Sequence, residues 1–167
     1  MKVAGQFNAE CVQFLHPLGV DAQALEQHRR VLKKDLDRDL NYWQHADRGC
    51  DTTAFSDAWY DELAEFKKTA SSRAAIFPAF TREQLRAYYT MDKTFYTRMP
   101  GRCTAPWQTA TILPSGDVES CPDYVVGNCQ RDDFLTLWNA QVMRRLRRRI
   151  RNHDFFTVCR ACCYFYM

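Results

Sequence analysis

Residues 103–121 run CTAPWQTATILPSGDVESC, and their punctuation reads as a β-hairpin. Trp107 to Leu113 is the first strand, Pro114-Ser115-Gly116 supplies the turn, and Asp117 to Cys121 is the returning strand. Asp132 or Asp133 then caps a long helix over Phe134 to about Arg151, with Leu135, Trp138, Val142, Leu146 and Ile150 along one side. Arg144, Arg145, Arg147, Arg148, Arg149 and Arg151 cover its other sides. Beyond the helix comes Cys159-Arg160-Ala161-Cys162. This Cys-x-x-Cys spacing lets two thiolates grip one metal centre from a tight turn. Alone the pair is a weak signal and needs two more ligands. Cys121, at the end of the hairpin, is a natural third. Cys103 precedes the first strand, so hairpin pairing draws it towards Cys121.

The remaining cysteines read differently. Cys11 lies in an apolar strand and is expected to be buried as a small hydrophobe. Cys50 sits in a polar loop that gives no reading. Cys129, in Gly127-Asn128-Cys129, reads as a loop residue, with a ligand role as the alternative. Cys163 adjoins Cys162, and neighbours seldom both reach one metal, so it is expected to pack. A redox dithiol is disfavoured because the pair follows a helix instead of opening one. Spacing does not separate a four-cysteine zinc site from an iron–sulfur cubane. The long gap between Cys121 and Cys159 departs from compact zinc ribbons with two close pairs.

Upstream, the pattern is strand, helix, helix, strand, helix. Glu10 to Val20 suits a buried strand that runs into a loop at Pro17 and Gly19. Asp21 caps a helix carrying Leu25, Leu32 and Leu36. Residues 41–55 look irregular, and Ser56 opens a helix with Trp59, Leu63 and Phe66 on one face. Ala74 to Phe80 is a short strand, and Thr81-Arg82-Glu83-Gln84 is a capping box leading into Leu85, Tyr88 and Tyr89. The expected fold class is α/β. Residues 1–98 read as a partial β/α, TIM-like barrel segment, and 99–167 as a small α+β cysteine-rich module of hairpin plus helix. Two strands do not close a barrel, so the pattern suggests part of a larger fold.

Composition sets the setting. The chain has 167 residues, 46% of them hydrophobic, enough for a real core, and a formal net charge of +3, too small to argue for nucleic acid. Its eight cysteines fall below the density of a disulfide-stapled mini-protein. With no secretory-type or membrane-length apolar run, a soluble, cytoplasmic, reducing location is expected, where clustered cysteines more often bind metal than form bridges. The arginine-rich helix reads as a solvated face or a contact surface, and its basic last turn suits the helix dipole. Of His16, His28, His45 and His153, none has a partner at ligand spacing. His16, at a strand end before Pro17, is a substrate-side candidate, with an ordinary loop histidine as the alternative. Asp21, Glu62 and Glu65 read as caps and helix-surface charges.

Taken in order, Cys103-Thr104-Ala105-Pro106-Trp107, Ile112-Leu113-Pro114-Ser115-Gly116-Asp117-Val118, Cys121, Val126-Gly127-Asn128, Leu137-Trp138-Asn139, Arg144-Arg145-Leu146-Arg147 and Cys159-x-x-Cys162 resemble a SPASM domain. These are the C-terminal auxiliary-cluster domains of radical S-adenosylmethionine (radical SAM) enzymes. The resemblance implies one [4Fe-4S] cluster held by Cys103, Cys121, Cys159 and Cys162. The two-cluster form needs further cysteines after the hairpin, where only Cys129 falls, so Cys129 is at most an extra ligand. A shell from Trp107, Trp138 and Tyr124 would limit solvent at the cluster. The resemblance further implies an oxidoreductase-type parent enzyme that modifies a peptide, protein or small molecule. Its auxiliary cluster would pass electrons or anchor substrate. The Cys-x-x-x-Cys-x-x-Cys motif of the catalytic cluster is absent from this chain. S-adenosylmethionine is therefore not expected to bind it alone, no catalytic residue is named, and a missing N-terminal half is an expected partner. A four-cysteine zinc module for assembly is the competing reading.

Overall fold

The computed structural model describes residues 6, 8, 10–16, 20–46, 57–69, 74–90, 92, 95, 99, 103–152 and 154–166, the side chains of His45 and Thr69 excepted. Its elements, in chain order, are β1 (Val12–Leu15), α1 (Ala22–Leu36), a 3-10 turn (Trp43–His45), α2 (Asp57–Thr69), β2 (Ala74–Phe77) and α3 (Arg82–Tyr89). There follow α4 (Ala105–Gln108), β3 (Thr111–Ile112), β4 (Asp117–Cys121), β5 (Tyr124–Asn128), α5 (Phe134–Trp138), α6 (Gln141–Arg151) and two final 3-10 turns, Cys159–Ala161 and Cys163–Tyr166. One parallel sheet pairs β1 with β2, and one antiparallel sheet has the order β3-β4-β5, so the chain is mixed α/β. The expected readings at Cys50, Ser56, Pro17, Gly19 and His153 lie outside the described residues.

Packing divides the chain into Met1–Pro17 with Cys50–Met99, and Leu18–Gly49 with Pro100–Met167. The sequence places its division at 98/99, whereas residues 18–49 join the C-terminal unit. The reason is α1. Asp21 caps it through Ala24 N–H, and its buried face of Leu25, His28 and Leu32 needs an apolar partner. Phe156 meets His28 edge-on at 5.0 Å, Thr157 donates to the Ala24 carbonyl, and Arg149 pairs with Asp35 at 3.6 Å.

In the first unit, β1 and β2 run in parallel register from Val12 opposite Ala74 to Leu15 opposite Phe77. The strand expected to be buried is instead open, with Phe14 41% and Leu15 65% exposed. Among the described residues β1 has β2 as its one strand neighbour. Cys11, just before β1, is exposed, against expectation. The Thr81 capping box forms with both of its hydrogen bonds, and Leu85, Tyr88 and Tyr89 are buried as their spacing predicts. Arg82 and Arg86 reach from α3 to Asp57 and Asp61 on α2.

The second unit forms around the hairpin. Gly116 adopts φ +83°, a conformation that suits glycine, and β4 returns beside β3. The expected strand over 107–113 shrinks to Thr111–Ile112, because Pro106 stands near the start of a helical turn. A third strand, β5, was not foreseen; Tyr124-Val125-Val126 is its β-prone signal. The long helix over 134–151 breaks at Asn139-Ala140 into α5 and α6. Asp133 caps α5 as expected, but Leu135 is 66% exposed, and the buried stripe of α6 is Met143, Leu146 and Ile150. Gly127 lets β5 approach α5: a Cβ there would lie 2.2 Å from Leu137 Cδ2. Asn128 then ties the turn together, donating to the Ser115 carbonyl and the Asp117 carboxylate.

Candidate metal centre

Three separate segments bring the four named thiols into the second unit. Cys103 lies just before α4 and is buried. Cys121 closes β4, where two register irregularities, between Val118 and Glu119 and between Glu119 and Cys121, interrupt the pairing with β5. Such bulges re-aim side chains. Cys159 and Cys162 sit on consecutive tight turns, with Cys159 N–H donating to Phe156 O and Cys162 N–H to Cys159 O. The Cys103 thiol donates weakly to the Tyr164 carbonyl, at 3.8 Å.

The electrostatics of the thiols place them near one another. Burial pushes the Cys121 thiol well above its ordinary value, and Cys159, Cys103 and Cys162 each add to the rise. Burial likewise raises Cys159, with Cys162 and Cys103 contributing. Cys162 is pushed up to about 12, first by burial and then by Cys163 and Cys103, against backbone hydrogen bonds at Tyr164 and Phe165. Burial raises Cys103, partly offset by a backbone hydrogen bond at Ala105. Left to themselves these four groups are held towards the protonated form, first because burial penalises a thiolate. A cationic metal centre removes that penalty and releases the protons, and backbone hydrogen bonds to sulfur suit thiolate ligands. The donor set therefore fits a thiolate-ligated cluster. Among the described residues no group of three or more His, Cys, Asp or Glu side chains is positioned to hold a metal ion.

The other candidates fall elsewhere. Cys129 is half-buried at the end of β5, its N–H bonded to Gly116 O. Cys163 is exposed, where packing was expected. Of the expected shell, Tyr124 is 1% exposed and Trp107 is 38% exposed, while Trp138 lies under the Arg147 guanidinium at 4.7 Å. His16 accepts or donates at 3.0 Å to the Tyr89 hydroxyl within the first unit, among Phe80, Tyr88 and Trp59. The cavity beside it holds about 40 Å³, room for a few waters. Burial lowers the His16 pKa, so the imidazole is held towards its neutral form.

Sequence reasoning missed Asp123. It occupies a left-handed position, φ 67°, in the turn between β4 and β5, and is 3% exposed. Its carboxylate accepts N–H groups from Asn41 at 3.0 Å, Tyr42 at 2.5 Å and Trp43 at 3.1 Å. Pro122-Asp123 signals a turn, but nothing local names a partner some 80 residues away. Glu119, buried beside it, is raised by burial and then by the Asp123 charge.

Cys103, Cys121, Cys159 and Cys162 thus fall in one packing unit of the chain. Residues 103–163 match the family model of the SPASM domain, an iron-sulfur cluster-binding domain. That stretch is therefore an iron–sulfur cluster-binding domain, and the zinc alternative is not favoured. The chain matches no curated protein and no solved structure. Among the described residues no helix is long and apolar enough to cross a membrane.

Proposed function

We propose that this chain is the C-terminal part of a radical S-adenosylmethionine enzyme, and that Cys103, Cys121, Cys159 and Cys162 hold one auxiliary [4Fe-4S] cluster. The observation that carries the reading is that Cys103, Cys121, Cys159 and Cys162, from three segments of one packing unit, all lie inside the matched residues 103–163, with Cys159, Cys103 and Cys162 each raising the Cys121 thiol. The parallel β1–β2 pair, joined through helices, supports the first unit as a fragment of a β/α barrel. Bound at the four thiolates, the cluster supplies one-electron transfer or an anchoring point for substrate. The chain's own residues enclose that site. Tyr124 and Phe156 meet ring to ring at 5.8 Å in the same unit, and backbone groups at Ala105, Tyr164 and Phe165 direct hydrogen bonds at sulfur. Cleavage of S-adenosylmethionine needs cysteines that this sequence lacks, supplied by an N-terminal half. The substrate is a peptide, protein or small molecule handled in the cytoplasm.

The test is iron, acid-labile sulfide and zinc content after anaerobic purification and reconstitution. About four irons and four sulfides per chain, with a broad visible band bleached by dithionite, are expected. Cys159→Ser and Cys121→Ser should lose most of both, while Cys129→Ser and Cys163→Ser keep them. Full iron and sulfide in Cys159→Ser, or one zinc without sulfide in the wild type, would refute the assignment.

A further inference from the structure

We propose that the outer flank of α6, with Arg144, Arg148 and Arg151, joins Phe134, Leu135 and Trp138 of α5 as a docking surface for an acidic peptide segment of another chain, one that carries carboxylates beside an apolar residue. The inference does not need the cluster. α6 holds six arginines and no lysine, and helical spacing sorts them to two sides of its buried stripe of Met143, Leu146 and Ile150. On one side the arginines serve the fold: Arg149 pairs with Asp35 and Asp154, and Arg145 donates to the Asp35 carbonyl. On the other side Arg147 is tied down, donating to the Pro106 carbonyl at 2.9 Å and lying over the Trp138 ring. Arg144, Arg148 and Arg151 share that flank and are exposed, and their guanidinium groups have no ion pair or hydrogen bond among the described residues.

Like charges crowded on one flank repel: burial and then Arg144 lower the Arg147 pKa. Carboxylates from a partner offset that repulsion, and a guanidinium fork takes a carboxylate through two parallel hydrogen bonds. Beside the arginines, α5 offers an apolar anchor point. Phe134 stacks on Trp138 at 5.8 Å, with Phe134 37% and Leu135 66% exposed. Tryptophan, phenylalanine and arginine are enriched where proteins meet. The free arginine stripe spans about 10 Å of helix, too short for the run of phosphate contacts that builds nucleic-acid affinity. Aliphatic Leu135 likewise suits an apolar peptide side chain and not a nucleotide. Charge and apolar surface together select an acidic, amphipathic peptide.

The experiment uses the full chain, reconstituted anaerobically with iron and sulfide, and fluorescence anisotropy with a short labelled peptide of glutamates and leucines as the probe. Binding should weaken several-fold as salt rises from low to physiological ionic strength. Replacing the peptide's glutamates by glutamine should abolish binding to the unaltered protein, a result that no variant's folding can obscure. The triple variant Arg144→Gln, Arg148→Gln, Arg151→Gln should lose about tenfold in affinity. Leu135→Ser should lose several-fold and keep the salt dependence. Arg30→Gln on α1, where Arg30 already pairs with Glu26, should bind as wild type. Absence of binding, or equal binding of the glutamate and glutamine peptides, overturns the proposal. So does a tighter grip on a single-stranded RNA of similar length that Leu135→Ser leaves unchanged, which would make the stripe a phosphate-binding face. Sedimentation in which wild type is dimeric and the triple variant monomeric would assign the surface to a second copy of the chain and refute the peptide.

Discussion

Replacing His28 by leucine should remove a source of acid instability from the cluster-bearing unit. His28 is 1% exposed, and neither ring nitrogen has a hydrogen-bond partner among the described residues. Burial lowers its pKa from 6.5 to about 4, with Asp123 pulling the other way and Arg149 adding to the fall. The folded protein thus binds fewer protons at this site than the unfolded chain between about pH 4 and 6.5. Its contribution to stability is complete above pH 6.5 and is lost as the pH falls towards 4. The difference of roughly 2.5 units corresponds to about 3 kcal/mol. Leucine keeps comparable apolar volume and cannot take the proton. Urea unfolding of both proteins, handled anaerobically at several pH values from 7.5 to 4, isolates the effect, because carboxylate titrations common to both cancel. His28→Leu should gain on the wild type by up to about 3 kcal/mol over that range. Parallel stability curves for the two proteins would show that His28 does not stay neutral, and the reasoning would fail.

Gly127→Ala drives a methyl group into Leu137 and should cost about 1–3 kcal/mol. Denaturant midpoints report it, and adding Leu137→Ala should restore part of the loss relative to Leu137→Ala alone. Thr81→Ala removes one half of a complete capping box and should cost about 1 kcal/mol. A lowered thermal midpoint checks this, with Thr81→Ser close to wild type.

Features decided by local chemistry were legible in the sequence. Asp21, Thr81 and Asp133 cap helices because a short polar side chain before an apolar period has one obvious use. Gly116 marks its turn through the backbone conformation it permits. The four thiols could be picked out by spacing and resemblance, and the structure gathers them in one unit. What failed depended on distant partners or on competing local signals. Trp107 reads as a strand former, yet Pro106 beside it starts a helical turn. Leu135 fits the apolar stripe only if one helix continues through Asn139-Ala140, and it does not. Cys11 falls just before β1 instead of within it, and is exposed. The allegiance of α1 to the C-terminal unit, and the use of Asp123, depend on contacts that no window of local sequence contains.

That long span also orders events during synthesis. The amides of residues 41–43 leave the ribosome 80 to 82 residues ahead of the carboxylate that receives them. At about 5–20 residues per second, the early segment waits roughly 4–16 s for Asp123. Cys159 and Cys162 emerge later still, after Asp123. Until then Trp43 and the apolar face of α1 lack their final cover, and chaperone contact is most useful in that interval.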